Sequence, residues 1–281
     1  MDQKRYHSPQ ETLYITLEKG ITKEKTPLVP QMLLAILAGA FIALAAAGSN
    51  MAAYGLWLNP ETYGLGKLVA GAIFPIGLML VLLAGAELFT GNNLLIIALA
   101  DGQITLPRML RNWGVVYLGN FVGSLLIVVL IILSGQLHAG GNLLGGATIK
   151  IAASKVSLAF LPAIALGILC NWLVCLAVWL AYAATDMAGK ILAIFFPILL
   201  FITSGFEHSV ANMYYVPAGI LARENPAYAA ASELPPEILA RITWPNFLLH
   251  NLLPVTIGNI IGGTVFVGLV YWLAYRKPAK P

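Results

Sequence analysis

Two short stretches place ionisable side chains among residues that have almost none around them. In TSGFEHSVAN, Thr203 to Asn212, Glu207 and His208 are adjacent, and in AGAELFTGN, residues 84–92, Glu87 stands three residues before Thr90. A histidine has an unperturbed pKa of about 6.5, so it can attract an anion when charged or pass a proton to it. A carboxylate in apolar surroundings needs donors, and it then serves either as a pin that holds a broken helix or as a proton carrier. For Glu87 and Glu207 the donors within reach in sequence are backbone N–H groups freed by a helix break, Ser204, Ser209 and Asn92. Thr90 is placed to bond to His208 across the two halves, and Asn171, isolated in an apolar run, is a third candidate for the same cluster. Glu207, His208 and Ser209 also raise the possibility of a hydrolytic unit, but chain neighbours rarely form one. No His-Glu-x-x-His, Gly-x-Ser-x-Gly or second acid cluster supports it, so no enzyme is expected. Cys170 and Cys175, five apart, fall on different helix faces and read as packing, and neither a metal nor a cofactor is expected.

These groups must be positioned by a membrane-embedded scaffold. The 281 residues are 59% hydrophobic and 10% charged, with a mean hydropathy of +0.83. Soluble domains carry roughly 25% charged residues, so this chain is not built to face water on all sides. Apolar runs long enough to cross a bilayer recur at 30–57, 68–100, 112–134, 159–184, 190–221 and 247–275, with polar, glycine-containing interruptions in the second and fifth. That gives an all-α membrane protein of six transmembrane helices over 28–276, an N-terminal cytoplasmic segment at 1–27 and a cytoplasmic tail at 277–281. The N-terminal segment has no apolar core and is no cleavable signal peptide. Leu13, Ile15, Leu17 and Ile21 fit either a short amphipathic helix on the membrane surface or a plain polar tail. Lys4, Arg5, Lys19, Lys23, Lys25, Arg108, Arg111, Lys190, Arg276, Lys277 and Lys280 fall on one side of the membrane, against Lys67, Lys150, Lys155, Arg223 and Arg241 on the other. This excess places both termini in the cytoplasm and explains the net charge of +4 without a nucleic-acid partner.

The chain repeats itself. Phe74-Pro75 precedes Gly85-Ala86-Glu87, Phe196-Pro197 precedes Gly205-Phe206-Glu207, and GNFVG at 119–123 answers GNIIG at 258–262. Two copies of three helices each enter the membrane from opposite sides, so the expectation is an inverted repeat with a transport site at the matching breaks. The GNxxG segments read as close helix packing. Phe74, Leu78, Leu88, Phe201 and Phe206 are either core or an apolar constriction that dehydrates a small solute. A water or polyol channel is disfavoured, because the single Asn225-Pro226-Ala227 sits in a polar loop, where such a pore needs two at half-helix ends.

AGAELFTGN, GILCNWLVCLA at 167–177, SGFEHSVANM at 204–213 and PVTIGNIIGG at 254–263 together make the chain resemble the formate/nitrite transporter family over residues 30–275. The resemblance implies a homopentamer of aquaporin-like protomers in the cell membrane, each with its own pore for formate or a related small anion such as nitrite or hydrosulfide. It also implies that Thr90, His208 and Asn171 form a central cluster and that Phe74, Leu78, Leu88 and Phe201 line constrictions. By the same resemblance, Lys155 draws anions into a vestibule and the N-terminal segment covers or uncovers the cytoplasmic mouth.

Overall fold

The computed structural model describes residues 6–57 and 59–276, so the tail 277–281 lies outside it. The first helix, α1 (Pro9–Glu24), starts behind Ser8. The Ser8 hydroxyl accepts from the Glu11 N–H while the Glu11 carboxylate accepts from the Ser8 N–H, a reciprocal cap that fixes the start. Thr12, Leu13, Thr16, Gly20 and Glu24 form its buried stripe. Then come α2 (Leu28–Trp57), α3 (Pro60–Gly85), α4 (Phe89–Ala100) and α5 (Leu106–Leu133). After α6 (Leu143–Val156) follow α7 (Phe160–Ala183), α8 (Met187–Thr203), α9 (Ser209–Arg223) and α10 (Trp244–Tyr275). Among the described residues, α2, α3, α5, α7 and α10 are long and apolar enough to cross a membrane, and α4 and α8 are shorter apolar helices.

Helix α2 packs along α5 and α7 packs along α10, the two most extensive pairings in the molecule. Small residues allow it. A methyl group on Gly123 would run into the Ile36 carbonyl, and one on Gly262 into the Ile168 carbonyl, so backbone meets backbone at both crossings.

The interruptions of the second and fifth apolar runs are built alike. Gly85, at φ 86, ends α3, and Gly205, at φ 73, ends the turn after α8. Each is a left-handed position that glycine occupies without penalty. The following N–H closes the helix end: Ala86 donates to the Val81 carbonyl at 2.8 Å and Phe206 to the Phe201 carbonyl at 3.1 Å. The chain then runs extended through Glu87 and Glu207, whose N–H groups donate to Leu34 and Leu166, each at 3.2 Å, before α4 and α9 begin. The Phe-Pro pairs correspond less well. Phe74 is buried at 2% exposure, whereas Phe196 is 60% exposed. Phe74 stands eleven residues before Gly85 and Phe196 nine before Gly205, and two residues turn a helix by about 200°, which swings one ring inward and the other outward.

Candidate functional site

Two asparagines from the GNxxG segments hold the breaks. Asn120 accepts from the Phe89 N–H at 2.9 Å and donates to the carbonyls of Ala35 (2.7 Å) and Glu87 (2.9 Å). Asn259 accepts from the Ser209 N–H at 2.8 Å and donates to the carbonyls of Gly167 (2.8 Å) and Glu207 (2.9 Å). Each amide therefore satisfies the backbone that the break leaves without helical partners.

The carboxylates are buried, and their donors are not serines or backbone N–H groups. Glu87 accepts from Lys23 Nζ at 2.9 Å and Asn92 Nδ2 at 2.7 Å. Glu207 accepts from Lys155 Nζ at 2.8 Å, Asn212 Nδ2 at 2.6 Å and Asn251 Nδ2 at 3.4 Å. The Ser209 hydroxyl has no partner and its N–H donates to Asn259, the Ser204 N–H donates to the Leu200 carbonyl, and both glutamate N–H groups donate to the carbonyls of Leu34 and Leu166. Only charged and amide side chains remain to meet the carboxylates. Each asparagine five residues after its glutamate also donates to an asparagine on the neighbouring helix, Asn112 at 2.9 Å and Asn251 at 2.8 Å.

The two breaks meet at His208 and Thr90. His208 is the residue before α9, and its Nδ1 accepts from the Ala211 N–H at 3.1 Å. That bond assigns the ring proton to Nε2, which donates to Thr90 Oγ1 at 2.9 Å. Asn171 lies one step behind: its Nδ2 donates to the carbonyls of Thr90 (3.3 Å) and Asn259 (2.6 Å) and to Asn93 Oδ1 (2.7 Å), so it holds the Thr90 backbone and does not touch the imidazole.

Apolar rings close around this contact. Phe74 and Phe201 meet edge to face with centroids 5.6 Å apart, and Phe201 lies 6.0 Å from the His208 ring. Leu78 and Leu88 are equally buried. On one side a cavity of about 400 Å³ is lined by Phe201, His208 and Phe206 together with Lys67, Lys150 and Lys155. The arrangement can dehydrate a small solute and offer it a hydrogen-bonding step beside the apolar rings.

Sequence reasoning missed Lys23, Asn112, Asn120, Asn251 and Asn259. Their detectable signal was the asparagine inside each GNxxG and the Asn92/Asn212 pair at equal spacing from the two glutamates.

Comparison with known proteins agrees with this geometry. The family model for "Formate/nitrite transporter" matches residues 10–273. The chain is 41% identical to the formate channel FocA of Escherichia coli K12 over 92% of its own length and 91% of that protein's. It is 40% identical to a probable formate transporter of Methanothermobacter thermautotrophicus over 97% and 98% of the two chains. A solved structure described as a pentameric formate channel with formate bound aligns with a TM-score of 0.82 and 40% identity, covering 89% of this chain and 98% of that one. Matching helix breaks, a buried polar contact between them and a family match over nearly the whole length place this chain in the formate/nitrite transporter family, whose members are transporters rather than enzymes.

Proposed function

We propose that the protein passes small monovalent anions of weak acids across the cell membrane, with formate as its substrate. The observation that carries this reading is the buried Thr90–His208 contact at the foot of a lysine-lined cavity, sealed by Phe74 and Phe201. Moving a bare charge through such a ring is costly, whereas a neutral acid crosses at far smaller cost. The anion gathers at the lysines, takes up a proton close to His208 and crosses the constriction formed by Phe74, Leu78, Leu88 and Phe201. Thr90 and Asn171 fix the donor geometry. Lys155 belongs to the pathway as the counter-ion of Glu207, and Glu87 and Glu207 act as structural pins.

In this reading the protein spans the membrane six times over 28–276, as two inverted three-helix repeats in an aquaporin-like arrangement. The matched bonds of Asn120 with Asn259 and of Lys23–Glu87 with Lys155–Glu207 support that relation. Both termini are cytoplasmic, so the cavity opens outward. The 1–27 segment, whose α1 reaches Glu87 through Lys23, sits at the cytoplasmic mouth. Five copies assemble, as in the pentameric formate channel the chain is similar to.

Purified protein in liposomes with a trapped pH indicator tests the substrate. Added formate is expected to move faster than nitrite or hydrosulfide, with each rate corrected by protein-free vesicles. A faster nitrite or hydrosulfide flux would reassign the substrate within the family, and protein-dependent flux of none of them would overturn the reading.

A further inference from the structure

The three lysines lining the cavity are not electrostatically equivalent. Lys155 is held 2.8 Å from Glu207 and stands 5.2 Å from the Tyr215 ring centroid, with its side chain 13% exposed. Its charge is compensated at close range by the carboxylate that accepts its hydrogen bond. Lys150 pairs with Glu233 at 3.3 Å. Lys67 has neither a carboxylate nor a hydrogen-bond acceptor among the described residues. Its ammonium stands over two rings instead, 5.4 Å from the centroid of Tyr63 and 6.0 Å from that of Trp57. Trp57 is held in place because its ring edge packs on Gly66, where a side chain would begin 2.7 Å from Cδ1. Such a perch holds a cation by the ring quadrupole without neutralising it. The ammonium also lies 4.0 Å from where a side chain at Gly205 would begin, in the turn that leads to Glu207 and His208.

We propose that Lys67, not Lys155, is the cation that captures the anion at the mouth of this cavity, and that Tyr63 and Trp57 keep its charge free and aimed at the turn before His208. This rests on the transport reading above and deepens it. A single uncompensated charge within several ångströms, in a partly hydrated vestibule, raises the local concentration of a monovalent anion about three- to ten-fold. A lysine already paired with a carboxylate adds far less. The interaction is strongest at low ionic strength, where the screening length is about 30 Å, and nearly gone at 1 M salt, where it is about 3 Å.

The experiment compares wild type, Lys67→Gln and Lys67→Arg in proteoliposomes, with initial formate rates read against formate concentration at low and high salt. At low salt Lys67→Gln is expected to raise the half-saturating concentration about three- to ten-fold with the plateau rate retained, to converge with wild type at high salt, and to be rescued by Lys67→Arg. An unchanged half-saturation at low salt, or a shift of equal size at both salts, overturns the proposal. A second readout does not depend on the substrate: iodide quenching of the Trp57 fluorescence, isolated by difference from Trp57→Phe. Lys67→Gln is expected to lower the iodide quenching constant about three-fold while leaving quenching by neutral acrylamide unchanged. Equal loss of both would mean a displaced ring and overturn the proposal. Intact quenching behaviour without wild-type formate flux would instead count against the substrate reading.

Discussion

At the scale of the residue, His208 has both ring nitrogens in use. Nδ1 caps α9 and Nε2–H reaches Thr90, so the imidazole as placed offers a hydrogen bond, and a second proton would have to displace the Ala211 N–H. His208→Asn removes the titration but leaves a residue that caps helices well. The expected result is an assembled protein whose flux still rises as pH falls, following the protonation of the substrate acid, and a flat flux profile between pH 5 and 8 would identify the ring as the proton's carrier. His208→Ala leaves the Thr90 hydroxyl and the Ala211 N–H without partners. It is expected to lower stability by about 1–3 kcal/mol, read as a lower melting temperature of the detergent-solubilised protein. The identities of Thr90, His208 and Asn171 were legible in the sequence, because a polar side chain in an apolar run must find a partner. Their division of labour was not. Whether Asn171 meets a hydroxyl or a backbone carbonyl depends on how α7 packs against α4, which no sequence spacing encodes.

At the scale of the element, the breaks were legible and the faces were not. Glycine followed two residues later by glutamate, at matching places in the second and fifth apolar runs, marks a left-handed helix end followed by an extended turn. Phe-Pro suggested equivalent partners, yet the two-residue difference in spacing puts Phe196 on an outer face and leaves Phe201 to meet Phe74. The two kinds of glycine should respond differently to substitution. At Gly205 an added side chain begins 4.0 Å from the Lys67 ammonium, in open space, so Gly205→Ala pays only for the left-handed backbone, about 1–2 kcal/mol. At Gly262 the methyl group meets the Ile168 carbonyl, and α7 and α10 must separate. Gly262→Ala is therefore expected to lose the folded, monodisperse protein in size-exclusion chromatography while Gly205→Ala keeps it with a reduced melting temperature. Equal behaviour of the two would contradict this distinction.

At the scale of the whole molecule, the two breaks share a common plan, a lysine, a glutamate and three asparagines at each, and they draw the lysine from corresponding places. Lys23 stands in the last turn of α1, five residues before α2, and Lys155 in the last turn of α6, five residues before α7. The repeated motifs in the sequence revealed the glutamates and not their counter-ions, since both lysines stand ahead of the apolar runs in which those motifs lie. The burial of the two pairs differs. Side-chain exposures are 13% and 8% for Lys155–Glu207, against 22% and 10% for Lys23–Glu87. Removing one partner of a buried pair strands the other charge, at about 3–5 kcal/mol, and the cost shrinks as water reaches the survivor. Lys155→Met should therefore lower the melting temperature more than Lys23→Met. Lys155→Met combined with Glu207→Gln should recover most of the loss, because the amide keeps a hydrogen-bonding group for Asn212 and Asn251 while no charge is left unpaired. A double variant as unstable as Lys155→Met alone would mean that the lysine holds α6 in place through its carbon stem rather than through its charge.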